Sequence, residues 1–71
     1  MHKDTTRGHI YLVRIHAQHQ WNNVVHESAY GSHRAAQCHG QTILEAIRDG
    51  DPKWADHYTI DIQEVDLYLT D

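Results

Sequence analysis

Seventy-one residues make one domain near the lower size limit for a self-sufficient core, and the single cysteine, Cys38, excludes an internal disulfide. The formal net charge of −4 is unevenly spread: residues 1–44 hold Asp4 and Glu27 against Lys3, Arg7, Arg14 and Arg34, whereas residues 45–71 hold eight acids against Arg48 and Lys53. Dispersed bases and an acidic C-terminal third argue against direct nucleic-acid binding, and the unpaired cysteine and short apolar runs predict a cytoplasmic chain without a membrane segment.

Residues 1–8 are polar and aperiodic, which predicts a flexible N-terminal arm ahead of one domain over 9–71. Ile10–Ile15 is rich in β-branched and aromatic residues and reads as a strand. Its two parities are both apolar, Tyr11, Val13 and Ile15 against Ile10 and Leu12, so the strand belongs in the centre of a sheet. Gln18–Asn23 supplies a turn, with Asn22 and Asn23 tolerant of left-handed dihedrals, and Val24–Tyr30 returns as a more exposed hairpin partner.

Ser32 is the expected N-cap of the helix that follows. Within that helix Ala36, Gly40, Ile43 and Ile47, with Leu44 beside them, form one stripe, and Gly40 implies a close approach to the sheet. Gly50 followed by Asp51-Pro52 ends it. Tyr58–Leu69 is the last strand. Its apolar residues change parity between Ile62 and Val65, which predicts a β-bulge near Gln63-Glu64. The fold class is therefore α+β: a single small ββαβ domain, a three-stranded antiparallel sheet with one helix packed on one face. The other face, with Ile10 and Leu12, is left for a homodimer interface or a partner.

The chemistry-bearing residues do not assemble into a known motif. His16-x-x-His19, His26, His33 and Cys38-His39 lack paired ligand spacing, so no metal and no cofactor are expected, a histidine-rich metal-binding domain being the third reading. Cys38 in mid-helix lacks the setting of a catalytic thiol, and the acid pair Asp61 and Glu64 sits on a strand in a chain too small for an ordinary pocket, so no enzyme is expected. The acids suit a basic partner surface. Asp56, Asp61, Glu64, Asp66 and Asp71 would supply charge, and Trp21, Trp54 and Tyr68 the aromatic anchors.

Residues 29–36 (AYGSHRAA) and 58–67 (YTIDIQEVDL) give the chain a resemblance. It resembles small, uncharacterised phage-type ββαβ proteins, in which an aromatic–x–Ser turn opens an alanine-rich helix and a Tyr-x-Ile…Glu-Val-Asp strand closes the chain. By analogy with small acidic phage proteins, anti-CRISPR proteins among them, the resemblance implies an inhibitor of a host nucleic-acid-handling or defence protein. The expected function is a non-enzymatic protein-binding module of that kind. The alternative is a homodimeric structural or regulatory protein using its open sheet face.

Overall fold

The computed structural model describes the backbone of residues 5–69 and the side chains of residues 8–66. Three strands, β1 (Thr5–Ala17), β2 (Asn23–Tyr30) and β3 (Tyr58–Leu69), form one antiparallel sheet in the order β2-β1-β3, with α1 (His33–Gly50) crossing from β2 to β3. The strand with two apolar parities is central, as its composition requires. Short 3-10 segments, Gln18–Gln20 and Pro52–His57, fill the two connections at one end of the sheet. β1 starts at Thr5, so it takes in the second half of the expected arm; residues 1–4 lie outside the described residues.

α1 begins where Ser32 Oγ accepts the amide hydrogen of Ala35 at 3.1 Å. The backbone N–H of Asp51 closes its other end on the Arg48 carbonyl. Its inward stripe, Ala36, Gly40 and Leu44, is buried, and Ile43 and Ile47 pack beside it. Beneath lie Val13, Ile15 and Ala17 of β1, fully buried, with Ile60 and Tyr58 of β3. A Cβ on Gly40 would stand 2.8 Å from Ile60 Cδ1 and 3.0 Å from Val13 Cγ1. Glycine is what lets the helix axis come this close, which outweighs its poor helix propensity.

The expected bulge at Gln63-Glu64 is not there. β3 pairs with β1 without interruption from Ala17↔Tyr58 to Ile10↔Val65, and the irregularities fall between Thr6 and Gly8 and, toward β2, between Ile15 and His16. The change of apolar parity has another cause. α1 covers only part of the sheet's length, so Tyr58, Ile60 and Ile62 face it while Val65 emerges on the opposite face across from Ile10. Two apolar sets on two faces require no extra residue.

The molecule is long and thin, with a Cα radius of gyration of 15.4 Å. A compact chain of this length has about 11 Å. The excess comes from strands that run beyond the helix, and the core is correspondingly small: six buried apolar residues, Val13, Ile15, Ala17, Ala36, Leu44 and Tyr58, among those described.

Candidate functional site

Strand parity builds the first surface. Opposite the helix, β1 presents Ile10, Leu12, Arg14 and His16, β3 presents Thr59, Asp61, Gln63 and Val65, and β2 adds Glu27 and Ala29. Ile10, Leu12 and Val65 are half-buried, and among the described residues no layer lies over them. Across the middle runs a row of alternating charge, because the register sets Glu27, Arg14 and Asp61 side by side. Arg14 Nε donates to Glu27 Oε2 at 2.6 Å, and its Nη1 reaches Gln63 Oε1 at 3.5 Å. The face is thus an apolar zone abutting a charged band of both signs.

The second surface is the end of the molecule where the two 3-10 segments meet. Trp21 and Asn22 turn the hairpin in left-handed conformation, at φ 64° and 56°. Trp21 is 93% exposed, with Val24 and Val25 about half exposed nearby. His19 is tucked inward instead. Its ring lies parallel to Trp54 at 4.9 Å and meets Tyr58 and His57 edge-on at 5.1 and 5.7 Å. Its Nε2 is 3.9 Å from Asp51 Oδ2, while its Nδ1 is buried without a hydrogen-bond partner. The Tyr58 hydroxyl donates to the same Asp51 oxygen at 2.7 Å, and Arg48 Nη2 donates to the Tyr58 carbonyl at 2.8 Å. The hydrogen bond to Asp51, then burial and the carboxylate's charge, push the Tyr58 phenol above its ordinary pKa.

The acids expected to form one partner surface lie on three. Asp61 belongs to the open face, in the charged row. Asp56 is exposed in the Pro52–His57 segment beside Trp54, itself 37% exposed, at the aromatic end. Glu64 and Asp66 are on the helix-side face, but past the start of α1, and both are exposed among the described residues. There both turn toward His9: its Nδ1 is 2.9 Å from Glu64 Oε2 and 2.6 Å from Asp66 Oδ1. The Tyr68 backbone pairs with Thr6, its side chain is outside the described set, and Asp71 lies outside the described residues altogether.

The histidines weighed as zinc ligands do not converge. His16 Nδ1 contacts the Asn22 carbonyl, His26 contacts Ser28, His33 meets Tyr11 edge-on, and His39 stacks on Tyr30. Cys38 is exposed. Among the described residues, the one group of three or more possible ligands is His9, Glu64 and Asp66. Sequence reasoning singled out its two acids and missed His9, 55 positions from Glu64. The available signal was Glu64-x-Asp66, two like charges on one face of a strand, which call for a cation opposite.

Models of known protein families, curated proteins and solved structures all lack a match to this chain. No helix among the described residues is long and apolar enough to cross a membrane.

Proposed function

We propose that this chain is a non-enzymatic interaction module that works as a homodimer through the sheet face opposite the helix. The observation that carries this reading is the composition of that face: uncovered Ile10, Leu12 and Val65 beside the row Glu27, Arg14, Asp61. Such a surface is self-complementary. A two-fold axis through the row sets Arg14 of one copy against an acid of the other and lays apolar surface over apolar surface. The radius of gyration and the six-residue core support it, since a second copy would supply the layer that a domain this size needs. Leu12→Thr keeps a strand-forming residue and removes the apolar contact. It should convert the dimer to a folded monomer in sedimentation equilibrium; a monomeric parent protein would overturn the reading.

Trp21 favours a second reading, in which a host protein docks at the aromatic end. A tryptophan held outward at 93% exposure on a left-handed turn is an uncommon use of the side chain. Asp56 and Trp54 belong to the same end, and the partner would be one with a basic nucleic-acid-binding surface, as in inhibition of a defence or nucleic-acid-handling protein. Pull-down from nuclease-treated lysate with the parent chain and with Trp21→Ser tests it. Loss of one retained protein in the variant is the supporting result, and identical recoveries count against it.

A further inference from the structure

We propose that Arg14 and Asp61 form a reciprocal ion pair between two copies of this chain, which sets the dimer axis between β1 and β3 and selects the chain's own copy as partner. The inference rests on the open-face dimer proposed above and names the contacts that specify it.

Strand register supplies the geometry. On the open face β1 and β3 stand in direct pairs: Ile10 with Val65, Leu12 with Gln63, and Arg14 with Asp61. A two-fold axis parallel to the strands and midway between β1 and β3 exchanges the members of every pair. Each residue then faces, in the other copy, the residue that is its own cross-strand neighbour. Ile10 covers Val65 and Arg14 covers Asp61, twice each. Facing sheets pack about 10 Å apart, a gap that a long arginine over a short aspartate fills.

Competing axes fit less well. An axis along β1 sets Arg14 over Arg14 and Glu27 over Asp61, like charge on like throughout. An axis along the charged row sets each of those charges over its own copy. An axis between β1 and β2 sets Arg14 over Glu27, but the pairing of those strands stops at Tyr11 opposite Tyr30. Ile10 then faces no β2 residue, and Val65 falls outside the interface.

The hydrogen bonds agree with the axis between β1 and β3. Arg14 commits Nε to Glu27 and reaches Gln63 with Nη1, which leaves Nη2 without a hydrogen bond among the described residues. Asp61 is exposed and makes no hydrogen bond or ion pair among them. The axis brings that free donor group to that free acid, while Glu27 stays at the rim and holds the guanidinium in place. Such a pair contributes selectivity for the partner more than affinity.

Sedimentation equilibrium of the full chain and its charge variants tests the pair. Arg14→Asp and Asp61→Arg should each weaken self-association by at least about tenfold, because each sets like charges face to face. Mixed in equal amounts, the two variants should dimerise as tightly as the parent, since each restores the opposite charge that the other lost. Both changes in one chain should restore the self-dimer too, which keeps the test decisive where circular dichroism shows a single variant unfolded. Recovery of a dimer on mixing Arg14→Asp with Glu27→Arg would place the axis between β1 and β2 and overturn the proposal. Single variants that dimerise as the parent does overturn the pair and leave the open-face dimer standing. A monomeric parent overturns both.

Discussion

Gly40 of the helix and Ile60 of β3 stand so close that a single added carbon would bring them to 2.8 Å. The same carbon would meet Val13 Cγ1 at 3.0 Å, and Val13 is fully buried. Helix propensity alone makes Gly40→Ala favourable by about 1 kcal/mol. Overpacking in a rigid core costs about 1–3 kcal/mol. The second term is expected to win because Val13 is fully buried and Ile60 must shift as well, so the variant should lose on the order of 1 kcal/mol in urea denaturation. Ile60→Val removes the Cδ1 that is struck first. Paired with Gly40→Ala, it should cost less than the two single changes added together, and strict additivity in that cycle would contradict the packing described.

Tyr58 makes the fold sensitive to alkali. Its pKa is raised in the folded chain, so it binds its proton more tightly there than when unfolded. The stabilisation is complete below the ordinary phenol pKa of about 10 and is lost as pH rises through the higher folded value. Phenolate absorbance should therefore show a Tyr58 component displaced above the ordinary phenol range, together with unfolding. Asp51→Asn removes the carboxylate charge and should bring that ionisation back toward the ordinary phenol range. An unchanged titration curve would mean that Asp51 does not govern Tyr58.

Trp21 occupies a conformation that suits its neighbour Asn22 better than itself. Left-handed dihedrals cost an ordinary residue roughly 1–2 kcal/mol, and asparagine less. With 93% of its surface already in water, Trp21 returns little packing. Trp21→Asn should therefore raise thermal stability, by on the order of 1 kcal/mol. A fall in stability would show that the indole contributes to the fold; a rise would be consistent with its retention for contact with another molecule.

Much of this architecture was legible from the residues. Tyr58–Leu69 runs over the bounds its composition indicates, Ser32 caps the helix, and Gly40 marks the close approach. Parity alone, however, says nothing about how far a helix reaches along a sheet. That is why the alternation in β3 suggested a bulge where the chain needs none, and with that bulge Glu64 and Asp66 would have faced the other way. The same gap hid His9, whose meaning depends on the register of strands almost the full chain length apart. His19 was equally hidden, since its stacking on Trp54 joins two connections that local patterns leave as polar loops. The acids were legible as charge, but their division among three surfaces depends on pairing and on where the helix stops.

The open sheet face is expected to bind its own copy. Sedimentation equilibrium of the parent chain across a range of concentrations, beside Leu12→Thr, measures it. The expected result is a parent mass of twice the 8.3 kDa monomer, with Leu12→Thr monomeric and still folded. A parent that stays at the monomer mass throughout, with Ile10, Leu12 and Val65 remaining in water, would contradict it.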